Sequence, residues 1–349
     1  MVVAGKGVVV RKAGWIVLGA TMAGLVTGCA GDPPAKQHPA GSSAPKASHP
    51  PKRELPEGMH KLGESVSTEA KTWTLAPSTL TEVTPTGSAK GVPHGWRAAK
   101  MTWKLTNNAG EIQPLLDLFP TVRYGSMGRV AVAFTDTGIE GMPNTTSADP
   151  PRVKPGGTYT VTMGIAVPAD AAGDPITITT RAKTLFGNTG DVAFFEGPFP
   201  GAPARKAVAL RPSPAPETKK TLAFGEWNAD QQLSVDNVRA EGTDDDGRPL
   251  YGGDLTLFND ATDASGPPYT PMKTSVRVSY GDQLKEADLV QALVPSAGET
   301  AFIAPQRAAT HHFRFALPQG TKPGSVTVEV TDLGTALATF EGMITARSS

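Results

Sequence analysis

Between Met101 and Thr106 the chain alternates without exception, with Met101, Trp103 and Leu105 on one side and Thr102, Lys104 and Thr106 on the other. A period of two puts successive side chains on opposite faces of an extended backbone, so this run is predicted to be a strand with one buried face. Thr160 to Val167 repeats the pattern, with Val161, Met163, Ile165 and Val167 directed inward. Arg129 to Phe134 and Pro175 to Thr180 are further β-rich runs. The 38 Gly and 32 Pro supply turn formers without the strict period of collagen. Short alternating strands, frequent turns and no long helical period predict an all-β protein built of antiparallel sandwiches. One segment, Asp282 to Leu293, reads as a short helix decorating a sheet.

The strands recur in order. Trp103-Lys104-Leu105-Thr106-Asn107-Asn108 returns as Leu255-Thr256-Leu257-Phe258-Asn259-Asp260, and Val122-Arg123-Tyr124-Gly125 as Val278-Ser279-Tyr280-Gly281. Val153-Lys154-Pro155 matches Ile303-Ala304-Pro305, while Met163, Ile165, Val167 and Pro168 match Phe313, Phe315, Leu317 and Pro318. Ile176-Thr177-Ile178 returns as Val326-Thr327-Val328, and Phe195-Glu196-Gly197 as Phe340-Glu341-Gly342. The offsets are 152, 156, 150, 150, 150 and 145, so small loop changes absorb the drift. Two tandem sandwiches are therefore expected, over residues 67–203 and 218–349, with a Pro-rich linker at 204–217.

The first thirty residues carry a different signal. Lys6, Arg11 and Lys12 precede an uncharged stretch from Ala13 to Gly28, shorter than the roughly 20 residues of a spanning helix. A basic start, a short apolar core and a small-residue end read as an export signal over residues 1–28. The stretch closes with Leu25-Val26-Thr27-Gly28-Cys29, which resembles the bacterial lipobox. That resemblance implies cleavage between Gly28 and Cys29 and a diacylglycerol on the Cys29 sulfur. Cys29 is the sole cysteine, which also excludes an internal disulfide or a cysteine zinc cluster. Two acyl chains hold a protein at a membrane stably, where one does not. The implied location is the extracytoplasmic face of the cell membrane. Residues 29–66 then read as a disordered tether, carrying Pro33, Pro34, Pro39, Pro45, Pro50, Pro51 and Pro56 and few large apolar residues. Extended at about 3.1 Å per residue, such a tether reaches on the order of 100 Å. His38, His49 and His60 sit in it, spaced too widely along the chain to preorganise a metal site.

A strand ending in Thr-Asn-Asn (Thr106 to Asn108), the Val153 to Gly157 turn, a strand ending in Val167-Pro168 and the Phe194 to Gly197 run together resemble the telokin-like immunoglobulin module. This module occurs in lipid-anchored and secreted bacterial proteins, actinobacterial ones among them, and its relatives include an extracellular mycobacterial immunogenic antigen. The second repeat departs from the pattern, with Gln306-Arg307 for the two glycines and Leu317 for the valine. The resemblance implies a fold and a compartment and transfers no catalytic residue.

The chemistry-bearing patterns are mostly missing. Gly125-Ser126-Met127-Gly128 lacks the spacing of a nucleophile elbow, and neither a Walker loop nor Gly-x-Gly-x-x-Gly occurs. His311 and His312 are adjacent on a predicted strand and so point to opposite faces, His311 toward the core edge. Acids and bases balance at 33 each over the chain, which excludes a polybasic nucleic-acid binder. Residues 218–349 nonetheless carry 17 acids and 11 bases, with Glu241, Asp244, Asp245, Asp246 and Asp254 around a Gly-rich turn. Asp244, Asp245 and Asp246 are weak metal candidates, an oxygen-rich loop of the kind calcium uses, but the spacing fails the EF-hand register and a solvated hairpin loop fits better. No cofactor is implied. The expected function is a non-catalytic binding or scaffolding lipoprotein, held to the membrane by its N-terminal diacylglycerol and engaging an envelope or extracellular protein or polymer. The alternatives are a solute-binding lipoprotein of a transporter, for which the alternating strands and helices are missing, and a secreted hydrolase with an unrecognised site.

Overall fold

The computed structural model describes residues 55–345, save 69–70, 88, 90, 116–119, 142–150, 184–188, 209, 211–212, 214, 216–218, 229–231, 263–273, 295–302, 322–323 and 333. The export signal, Gly28, Cys29, and His38 and His49 lie outside the described residues. Among these residues the fold is all β, with one 3-10 turn at Ala169–Ala171.

The alternation seen at Met101 extends over the whole Arg97–Asn107 strand, whose Ala99, Met101, Trp103 and Leu105 are buried. This strand lies between Trp73–Pro77 and Thr158–Val167 in a six-stranded sheet. Facing it are Pro175–Lys183, Thr189–Pro198 and Thr121–Tyr124, which contribute Ile176, Ile178, Phe195 and Val122 to the same core. Trp103 meets Phe195 edge-on across the two layers, ring centres 5.7 Å apart. A second core forms between Leu233–Thr243, Pro249–Asn259 and Arg307–Ala316 on one side and Thr274–Tyr280, Ser325–Asp332 and Thr335–Met343 on the other. Leu255, Phe313, Val328 and Phe340 are fully buried in it.

The pairing registers of the two cores correspond. Trp103 stands opposite Val161, and Leu255 opposite His311. Ile176 pairs with Tyr124 and Val326 with Tyr280; Ile178 pairs with Phe195 and Val328 with Phe340. Buried Asn107 donates from Nδ2 to the Val153 carbonyl at 2.8 Å, and buried Asn259 to the Ile303 carbonyl at 2.7 Å. In each case the asparagine side-chain oxygen accepts the backbone N–H two residues on, from Ala109 and Ala261. The turn closing on each asparagine needs a positive φ, met by Gly156 at 68° and Gln306 at 55°. Gln306 offsets the strain a side chain brings there by donating from Nε2 to the Asp260 and Ala261 carbonyls.

Two sequence expectations are corrected. Asp282 to Leu293 is not helical. Gly281 to Leu284 forms a tight turn, and Lys285–Glu286 and Asp288–Val294 are strands. Its buried residues Ala287 and Leu293, with half-buried Leu289 between, follow a period of two, which outweighs the helix-forming side chains around them. The tether does not run to residue 66, because Met59–Lys61 joins the Thr189–Pro198 strand in parallel and Met59 and Leu62 are buried. The start of the linker pairs with the first core. The Arg205 N–H donates to the Gly173 carbonyl at 2.7 Å and the Val208 N–H to Ser126 Oγ at 2.8 Å.

Candidate functional site

The two cores meet at a junction built from named contacts. The turn Gly125 to Gly128 brings Arg129–Val130 beside Arg307–Ala316, and one parallel bridge sets Thr310 opposite Arg129. The Thr310 N–H donates to the Gly128 carbonyl at 3.1 Å and its hydroxyl to the Met127 carbonyl at 2.6 Å. Gly128 adopts φ 61°, and a Cβ there would overlap the Ala308 carbonyl. Glycine is required twice over, for the dihedral and for the approach. Alongside, Arg307 Nε donates to Glu196 Oε2 at 2.6 Å, each side chain only about a tenth exposed (13% and 11%). Met59, Phe194 and Ala304 form a small buried apolar cluster at the same place. Arg123 is buried beneath, giving Nη1 to the Gly128 carbonyl at 3.1 Å, and Nε and Nη2 find no acceptor among the described residues. Burial pulls its pKa down to about 10.

Next to the junction, three strands bring acids and a histidine together. His312 donates through Nδ1 to Asp254 Oδ1 at 2.8 Å, and its Nε2 lies 3.1 Å from Glu241 Oε1. Glu241 also accepts from Arg314 Nε at 2.7 Å, and Asp254 from Asn237 Nδ2 at 3.0 Å. Gly252 leaves the space that Glu241 and His312 share. The hydrogen bond to Asp254 raises the His312 pKa; burial opposes this and the Glu241 charge adds to it. Burial works against the Asp254 carboxylate, yet the bonds from His312 and Asn237 outweigh it and hold its pKa low. Asp236, opposite Asp254 in register, is pushed up to about 6 by burial and then by the Asp254 charge. An imidazolium with both nitrogens committed to carboxylates is poorly placed to take a proton from a substrate, so the cluster is an ion-pair network more than a base.

Sequence reasoning separated His311 from His312 by face, and the structure puts His311 in the core and His312 in this network. It missed Glu241 and Asp254 as His312's partners, counting them only as excess charge. The signal lay in the repeat: with Leu255 opposite His311, Asp254 must stand opposite His312. Asp244, Asp245 and Asp246 lie in the turn between Leu233–Thr243 and Pro249–Asn259. Asp244 Oδ1 accepts the Asp246 and Arg248 N–H groups, and Oδ2 accepts Arg248 Nε at 2.7 Å. Arg248 also reaches Asp288 at 2.7 Å. An arginine thus stands where a cation would. Among the described residues no group of three or more His, Cys, Asp or Glu could hold a metal, and no helix is long and apolar enough to cross a membrane.

No protein-family model and no curated protein matches the chain. Among solved structures it is similar to an uncharacterized β-sandwich protein from Clostridium difficile 630, with 14% identity, a TM-score of 0.25, and coverage of 42% of this chain and 99% of that one.

Proposed function

We propose that the protein is an extracytoplasmic lipoprotein, anchored through diacylglycerol on Cys29, whose two tandem immunoglobulin-like sandwiches form one rigid, non-catalytic binding or scaffolding unit. The observation that supports this most is the junction itself: a glycine fitted against a carbonyl, a nearly buried Arg307–Glu196 pair and two Thr310 hydrogen bonds tie the two cores together. A solute-binding lipoprotein closes around its ligand by hinge bending, which needs a few residues free to change φ and ψ. A unit that presents fixed surfaces to a partner has the opposite need, since preorganisation lowers the cost of binding.

Two experiments on cells test the reading. Labelling with a fatty-acid analogue should mark the protein and be abolished by Cys29→Ser, with release of the chain to the medium; label that survives the substitution removes the anchor. Crosslinking on intact cells should capture an envelope partner, and deletion of residues 218–349 should lower its retention. Turnover of any substrate by the purified chain would defeat the non-catalytic reading.

A further inference from the structure

The junction joins two sheet faces that the repeat supplies twice. In the first core the outward side of Thr121–Tyr124, Pro175–Lys183 and Thr189–Pro198 is covered: Arg123, Thr177, Thr179 and Phe194 alternate with core residues and yet are buried. In the second core the outward side of Pro249–Asn259 and Arg307–Ala316 is covered likewise, with Thr256, Phe258, Ala308 and Thr310 buried. The Glu196–Arg307 pair, the Met59, Phe194 and Ala304 cluster and the Thr310 bonds to Met127 and Gly128 tie one face to the other.

Each core also carries the face that its neighbour uses in this contact, and both spare faces are open. The repeat places Lys104, Thr158 and Thr160 of the first core where the second has Thr256, Ala308 and Thr310, and all three are exposed. It places Glu329, Thr339 and Glu341 of the second core where the first has Thr179, Phe194 and Glu196; Glu341 is exposed and the other two are half-buried.

The spare faces carry opposite charge. On Arg97–Asn107 alternation turns Lys100 and Lys104 outward among threonines, with the Thr102 and Thr162 hydroxyls 3.4 Å apart and those of Thr106 and Thr158 3.1 Å apart. Among the described residues, none of the strands around them turns an acid outward. Glu82 stands opposite core-facing Ala99 and accepts from Arg97 Nε at 3.0 Å. On the second core's spare face Glu286, Glu329 and Glu341 point outward, and with them Arg277, 3.6 Å from Glu286 and 3.8 Å from Glu329. Three acids against one base make that face acidic; two bases without an acid make the other basic.

Faces of opposite charge, drawn from the same pair that meets inside the chain, fit a second copy of the chain. A contact between unlike faces does not close on itself, so copies would add in a row. The contact also differs from the internal one. Leu284 stands where Gly128 fits against a carbonyl, and Thr339 where Phe194 is buried, so the fitted turn and the apolar anchor are both missing. What remains is attraction between exposed charges, which salt screens.

We propose that copies of this protein associate head to tail, the basic sheet face of one copy's first core against the acidic sheet face of the next copy's second core. The proposal rests on the reading of the protein as a scaffolding unit and names a second copy as its partner. The test is sedimentation velocity of the purified full chain over a concentration series. At low salt the sedimentation coefficient should climb with concentration past that of a dimer. Salt at about 1 M, which shortens the screening length to about 3 Å, should return it to that of the monomer. Lys100→Glu with Lys104→Glu, or Glu286→Lys with Glu341→Lys, should each weaken association at least ten-fold. Mixed in equal amounts, the two variants should associate as the unsubstituted chain does, because every acidic face then meets a basic one. All four side chains are exposed, and an unchanged thermal transition checks the fold. A monomer at every concentration, association indifferent to salt or to either pair of substitutions, growth that stops at a dimer, or a mixture that stays monomeric each overturns the proposal. Failure of self-association with envelope partners still captured by crosslinking on cells sinks this inference alone, and loss of both sinks the binding reading with it.

Discussion

Replacing Gly128 and Gly281 by alanine, separately, separates the worth of the junction from the cost of the backbone. The two glycines have nearly the same dihedral, φ 61° and 67°, in corresponding turns. An alanine forced into the left-handed region costs about 1–2 kcal/mol at either. At Gly281 nothing lies within 4 Å of the added Cβ, so that cost is the whole effect. At Gly128 the methyl overlaps the Ala308 carbonyl, and relief requires Arg129–Val130 to part from Arg307–Ala316. Parting breaks the Thr310 N–H bond to Gly128 and the Thr310 hydroxyl bond to Met127. At ~0.5–1.5 kcal/mol each, those two bonds add about 1–3 kcal/mol. Gly128→Ala should therefore lose ~2–5 kcal/mol against ~1–2 for Gly281→Ala, read from urea unfolding followed by tryptophan fluorescence. Small-angle scattering should show a larger radius of gyration for Gly128→Ala alone. Equal losses and unchanged scattering for both variants would refute the pinned junction and remove the main support for a rigid unit.

Three further outcomes are expected. Arg307→Ala leaves Glu196 buried without its partner and should cost ~3–5 kcal/mol, whereas the same change at exposed Arg277 should cost under about 1 kcal/mol; chemical denaturation checks both. Asp236, raised from 3.8 to about 6, destabilises the fold above pH 6 and ceases to do so as pH falls toward 3.8. Asp236→Asn should then stabilise by about 1 kcal/mol at pH 7.5, a figure already discounted for partial solvent access, and by nothing near pH 4. His312 works the other way: its raised pKa gives stability that is complete below 6.5 and lost as pH rises through the folded value, so His312→Gln should cost more at pH 6 than at pH 9.

What could be read from the sequence follows from how far apart the interacting residues are. The alternation at Met101 to Thr106 is local, and burial of one face follows from it directly. The ordered matches between the halves fix pairings too, since Trp103 opposite Val161 implies Leu255 opposite His311. Asp282 to Leu293 misled because Leu284, Lys285, Glu286 and Ala287 favour helices individually, while the ladder to Arg307–Ala316 and the buried period-two residues decide the backbone. The Glu241, Asp254 and His312 network was hidden because its members come from three strands and each reads alone as a surface charge. The junction was hidden for a further reason: Gly128 and Glu196 look like framework residues, and only the position of the second core gives them a task.

The differences between corresponding positions bear more on function than the positions that agree. Asn107 and Asn259, or Phe195 and Phe340, do the same work in both cores and report only that each core must close. Gly128 and Leu284, Phe194 and Thr339, or Ser126 and Asp282 do different work on one shared frame. Each change in the second core replaces a residue that, in the first, meets the second core or the linker.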